Sequence, residues 1–109
     1  MILAIIKMNA LPAKRKELLQ TFQALIQPLR KEKGCLHCSV YLDIENKNAF
    51  CMIEEWATQE DLDNYLRSDL FSVLLGAKNL LRASPEIIFN TVSDISGMEA
   101  VKAAQGREV

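Results

Sequence analysis

The sequence holds little that metal, nucleic-acid or membrane chemistry would need. It has one histidine, His37, and three cysteines, Cys35, Cys38 and Cys51. No second Cys/His pair is therefore available to complete a four-ligand zinc site. Neither charge sign is in surplus: 13 Lys and Arg face 14 Asp and Glu, a net charge of −1. Phosphate binding needs basic residues in excess on one face, so nucleic acid is a poor candidate for the main partner. No stretch approaches the ~20 apolar residues of a membrane span. Ile2 to Ile6 is too short for a signal-peptide core and has no basic segment before it. An odd number of cysteines without such a signal points to free thiols in a reducing compartment, and the cytoplasm is the expected location. The 109 residues suffice for one domain.

What remains is an ordinary globular composition, half apolar and a quarter charged. Residues 1–34 carry seven basic and two acidic side chains. Most of the basic ones fall on one amphipathic segment, as a solvated helix face would. Met1–Met8 reads as a first strand. Ala13 to Lys31 places Leu18, Phe22, Leu25, Ile26 and Leu29 on one helical stripe, with Pro28 predicting a kink or early end and Gly34 a left-handed stop. Cys35–Ile44 and Ala49–Trp56 read as a hairpin across Glu45-Asn46-Lys47-Asn48. Thr58 with Asp61 makes a capping pattern, and Ser68-Asp69 starts a second one, so two helical segments are expected to run to about Arg82. Pro85–Val92 is the fourth strand. Ser93–Val109 is a tail with weak helical character around Met98–Ala104 that frays at Gly106.

The order β-α-β-β-α-β predicts an α+β, ferredoxin-like domain over residues 1–92 with a four-stranded antiparallel sheet and helices on one face. The strands are apolar at successive positions: Ile2–Ile6, Phe50–Ile53 and Ile87–Phe89. Such strands are expected to be covered on both sides. Two helical segments cover only one, so a second copy packed sheet against sheet is predicted, giving a homodimer.

Cys35-Leu36-His37-Cys38 has the spacing of a redox or metal motif, but it opens a predicted strand. On a regular strand, residues three apart point to opposite faces and lie ~10 Å apart, which suits neither a disulfide nor shared ligation. Structural thiols and no bound metal are expected. Histidine is the residue type that ordinarily serves as a base near neutral pH. Strand parity, however, does not fix the face of His37.

Gly34-Cys35-Leu36, then Phe50-Cys51-Met52-Ile53-Glu54-Glu55-Trp56, then the helix Gln59–Phe71 (QEDLDNYLRSDLF) resemble the antibiotic biosynthesis monooxygenase family, in order and with similar spacing over roughly residues 1–92. The resemblance implies a ferredoxin-like chain pairing into a dimeric α+β barrel. It also implies an oxygenase that needs no cofactor, acting on a small quinol or polyphenol whose own anion reduces dioxygen. Trp56 matches the family's pocket tryptophan, and parity sets Phe50, Met52 and Glu54 on its face. Tyr65 stands where many members carry a histidine, and Met52 where one anthrone-oxidising type has asparagine. Tyr65, Trp56 and Glu54 are the catalytic candidates; Phe50, Met52, Leu62, Phe71 and His37 are candidates to line the substrate pocket, which the resemblance implies lies between sheet and helices. The bland alternatives are a core or interface anchor for Trp56, helix packing for Tyr65, and a structural hydrogen bond or a cross-dimer ion pair with an arginine such as Arg67 for Glu54. A non-catalytic dimeric module binding a small aromatic ligand is the competing function. Haem degradation, performed by a related branch, is disfavoured: Leu75 stands where that branch has its histidine ligand, and Asn9 falls late for its asparagine.

Overall fold

The computed structural model describes residues 1–106. Strand β1 (Ile2–Asn9) is followed by a 3-10 turn at Pro12–Lys14, helix α1 (Arg15–Arg30), and the hairpin β2 (Cys35–Leu42) and β3 (Ala49–Trp56). Helices α2 (Gln59–Leu66) and α3 (Asp69–Gly76), a 3-10 turn at Ala77–Leu80, strand β4 (Glu86–Thr91) and helix α4 (Met98–Ala104) complete it. The sheet order is β2-β3-β1-β4, with every neighbouring pair antiparallel. This is the ferredoxin-like arrangement expected from the order of elements.

Boundaries moved where local chemistry competed with periodicity. Pro12 starts a 3-10 turn, which delays the helix from Ala13 to Arg15. Pro28 lies in the last turn of α1, where it forfeits one bond without breaking the helix, which ends at Arg30. β2 stops at Leu42 rather than Ile44 because the Asp43 carboxylate accepts from Glu45 N at 2.7 Å and turns the chain. The helix expected to reach Arg82 ends at Gly76 and tightens into a 3-10 turn. Thr58 and Ser68 cap α2 and α3 as the pattern predicted, accepting from Asp61 N at 3.1 Å and Phe71 N at 3.3 Å.

Burial alternates along the central strands. Ile2, Ala4, Ile6 and Met8 of β1 and Phe50, Met52, Glu54 and Trp56 of β3 face the helices and are buried. They meet Leu18, Phe22, Leu25 and Leu29 of α1, Leu62 and Tyr65 of α2, and Phe71 and Leu74 of α3. On the other face Leu3, Ile5, Cys51 and Ile53 are only half-buried and Ile88 is exposed. Among the described residues no helix buries them, so the two-sided apolar pattern reflects a second face that those residues leave open. Helix α4 buries none of its residues. Residues 107–109 of the predicted tail lie outside the described residues.

Gly34 sits in the turn before β2 with φ +83°, and a Cβ there would run into the Asp61 side chain at the start of α2. Its carbonyl accepts from Ala57 N at 2.8 Å, tying the same turn to the end of β3. Both the backbone angle and the missing side chain are needed. Gly34→Ala is expected to destabilise the fold by more than ~1 kcal/mol, from the left-handed angle alone, and to lower the melting temperature by several degrees in thermal denaturation.

Candidate functional site

Glu54 is the one fully buried acidic side chain on the helix-facing side of the sheet, with 0% exposure. Strand alternation puts it there, between Met52 and Trp56. The Trp56 indole N–H donates to its Oε1 at 3.0 Å, and the Tyr65 hydroxyl donates to its Oε2 at 3.1 Å. The two rings also stack on each other, centroids 4.7 Å apart and 22° from parallel. Phe71 meets the Tyr65 ring edge-on at 5.3 Å. Ser68 holds the two helices in register: its hydroxyl donates to Tyr65 O at 2.6 Å and accepts from Phe71 N.

Both carboxylate oxygens thus have a donor, but neither donor is charged. Among the described residues Lys14–Glu17 is the sole ion pair, and Arg67 instead donates to Asn64 on the surface at 2.7 Å. Among the described residues Glu54 is therefore held within the chain by hydrogen bonds, the structural alternative. Burial pushes the Glu54 carboxyl above its ordinary range, and the hydrogen bonds from Trp56 and Tyr65 offset only part of that. Burial, then the charge of Glu54, pushes the Tyr65 hydroxyl up as well.

Two further members of the cluster were missed by parity. The β2–β3 register pairs Cys35 with Trp56, His37 with Glu55 and Cys38 with Glu54, with a bulge between Cys35 and His37. Leu36 is the extra residue. A bulge resets alternation, so Cys35 and Cys38, three apart, both face the helices, contrary to the regular-strand expectation. Burial, then the nearby Glu54 charge, pushes Cys38 up to about 12 and also raises Cys35. Both thiols are free. Among the described residues no group of three or more His, Cys, Asp or Glu is placed to hold a metal ion.

His37, in the regular stretch after that bulge, alternates with Cys38 onto the open face, exposed and opposite Glu55, away from Trp56. Its expected place in the Trp56 pocket is thereby corrected. Phe50 shares the face of Glu54 but lies four residues along the strand; it packs on Phe22 at 5.5 Å, with the Arg15 guanidinium 5.7 Å from its ring centroid. It is remote from the carboxyl group. Met52, Leu62 and Phe71 are buried in the core around the cluster. Trp56, Tyr65 and Phe71 fill the space between sheet and helices where an open pocket was expected, with exposures of 0%, 2% and 8%. A cavity of about 320 Å³ lies at the outer edge of β2 and is lined by Arg30, Cys35, Leu36, His37, Cys38 and Ser39.

The family model described as antibiotic biosynthesis monooxygenase matches residues 1–74, from β1 into α3. The chain belongs to the antibiotic biosynthesis monooxygenase family. An uncharacterised protein of Synechocystis sp. is 31% identical over 74 residues, 68% of this chain; the chain spans half the length of that curated relative. A conserved protein of Methanosarcina mazei has a solved structure that is 31% identical, covering 82% of this chain and 89% of its own, with a TM-score of 0.77. A Mycobacterium tuberculosis protein shares the fold at 20% identity and TM-score 0.80, covering 88% of this chain and 98% of its own. The family match contains Glu54, Trp56, Tyr65 and Phe71; β4 and α4 lie beyond it.

The buried carboxyl makes stability pH-dependent with a definite sign. Because Glu54 holds its proton more tightly folded than unfolded, the folded state binds more protons between the two pKa values. Its contribution is therefore fully present below the ordinary carboxylate range and is lost as pH rises through the folded value. Glu54→Gln removes that dependence. In paired melts its stability relative to the unsubstituted chain is expected to improve as pH rises from the ordinary carboxylate range through the folded value; a constant difference would contradict the assignment.

Proposed function

We propose that the chain is a cofactor-independent monooxygenase acting on a small quinol or polyphenol, with Glu54 as its base and Trp56 and Tyr65 holding that base. The observation that supports this reading most is a cation-free carboxyl group, buried in an aromatic surround and bracketed by two neutral donors. Such a carboxyl is a stronger base than an exposed one, and an apolar site suits a flat aromatic substrate.

The chemistry balances without any further redox group. Glu54 takes the proton of one phenolic hydroxyl. The resulting electron-rich anion reduces dioxygen at a ring carbon, forming a carbon–oxygen bond to a peroxide. Glu54 returns the proton to the distal oxygen; the O–O bond then breaks as the ring C–H proton leaves. A quinol and one dioxygen yield a hydroxyquinone and one water, all four electrons coming from the substrate. The Tyr65 hydroxyl steadies Glu54 Oε2, and the Trp56 indole steadies Oε1 throughout. Substrate approaches from the β2 edge, where half-buried Cys35 lines the cavity and its thiol feels the Glu54 charge.

The same full burial supports a second reading, a non-catalytic module that binds a small aromatic ligand and uses Glu54 only as an internal tie. The half-buried Leu3, Ile5 and Ile53 on the open sheet face support sheet-to-sheet pairing of two copies under either reading.

Oxygen uptake and quinone formation with a reduced naphthoquinol, under air and under nitrogen, separate the two. Oxidation well above the buffer rate is expected under air. Glu54→Gln should lower kcat/KM by about 100-fold or more, and kcat/KM of the unsubstituted chain should rise with pH through a value above the ordinary carboxylate range. No acceleration across several quinols and pH values favours the binding module. Light scattering at micromolar concentration is expected to give twice the chain mass, and a stable single subunit would remove the paired-sheet arrangement.

A further inference from the structure

We propose that the cavity at the outer edge of β2 is a subsite for a carboxylate carried by the aromatic substrate, gripped by Arg30. This rests on the reading of Glu54 as the reacting carboxyl, and it names the class of substrate: an aromatic acid with free phenolic hydroxyls.

Arg30 is the last residue of α1, beside the edge strand. Its Nε donates to Cys38 O at 3.0 Å, on the side of β2 that no strand covers. That bond fixes the plane of the guanidinium and leaves its two terminal nitrogens for another acceptor. Among the described residues no carboxylate takes that place: Arg30 has no ion-pair partner within 4.0 Å there, although Glu32 follows it closely in sequence and Glu55 stands across the strand from His37. A cation at a helix C-terminus is favourable by itself, and an arginine over a sheet edge protects that edge. Neither role uses the terminal fork. A planar fork with two parallel N–H donors matches a carboxylate.

The rest of the cavity agrees with an organic acid rather than a bare polyanion. Arg30 is its one permanently charged lining residue; a phosphate site ordinarily gathers several donors of that kind. His37 and Ser39 add polar groups, while Leu36, Cys35 and Cys38 supply an apolar wall. The volume of about 320 Å³ lies at the small end of ligand sites. Cys35 and Cys38 are also the residues that the register sets opposite Trp56 and Glu54. A carboxylate held at Arg30 therefore directs the attached ring across the two thiols toward the buried carboxyl. The bulge is what makes one edge serve both purposes.

Calorimetric titration with 1-hydroxy-2-naphthoate and with 1-naphthol tests the subsite. The carboxylated probe is expected to bind at least about tenfold more tightly, as one charge-assisted bidentate contact would give. Arg30→Gln should bring the two probes to within about twofold of each other, and Arg30→Lys should keep part of the preference. Equal affinities in the unsubstituted chain, or a preference that survives Arg30→Gln, would overturn the proposal. Should Arg30→Gln fail to fold, the unsubstituted chain decides: 0.5 M NaCl should weaken the naphthoate severalfold and leave 1-naphthol unmoved, and equal sensitivity counts against the subsite. Oxygen uptake with 1,4-dihydroxy-2-naphthoate and 1,4-naphthalenediol keeps the two ideas apart. Preferential binding without oxygen uptake leaves the subsite and removes the oxygenase reading. Equal oxidation of both quinols, unchanged by Arg30→Gln, does the reverse.

Discussion

An acidic side chain withdrawn from water and given only neutral donors is a standing tension in a small protein, and much of this fold is arranged around one. Two hydrogen bonds to Glu54 satisfy its oxygens without cancelling its charge. Removing either donor leaves an oxygen exposed to an apolar interior, which is more costly than never having had the pair. The groups that supply the donors are therefore held from several directions. Trp56 and Tyr65 stack on each other, Phe71 braces Tyr65, and Ser68 locks the two short helices that carry them. Neither α2 nor α3 exceeds eight residues, too short to persist alone in water. They are helical because their capped ends and buried faces are needed here.

The sheet places chemistry by parity. On the helix side the repeat of two sets Met52, Glu54 and Trp56 in one row, with Ile6 and Ala4 beside the first two on β1. On the other side the same repeat leaves leucine and isoleucine half-covered, and a partner surface is the ordinary remedy for such a face. One strand pattern thus yields a closed polar knot on one side and an apolar plate on the other. The family match runs from β1 into α3, the part of the chain that builds the knot, and not into β4 or α4.

Much of this was readable from the residues. Alternation alone set Glu54 and Trp56 on a common face, and helical spacing from the Thr58 cap brought Leu62 and Tyr65 to the same inner side of α2. Their mutual bonding was not readable, because pattern gives direction but not reach: Phe50 shares the row yet lies too far along the strand and serves the Phe22–Arg15 end of the core instead. The larger failure came at Leu36. One additional residue on β2 inverted the assignment of what precedes it, taking Cys35 inward beside Cys38. A glycine marks some bulges in sequence; here the glycine is at position 34 and belongs to the preceding turn, so no local signal announced the shift. The pocket expected between sheet and helices failed for a volumetric reason, since three rings occupy it.

The turn at Gly34 joins two regions that are far apart along the chain. It runs directly into Cys35 at the cavity rim; it also lies against Asp61, in the first turn of the helix bearing Tyr65, and bonds to Ala57 just past Trp56. With no side chain between them, the rim of the cavity, the first turn of α2 and the end of β3 close on a single residue, so the border of the site and its interior share one hinge of backbone.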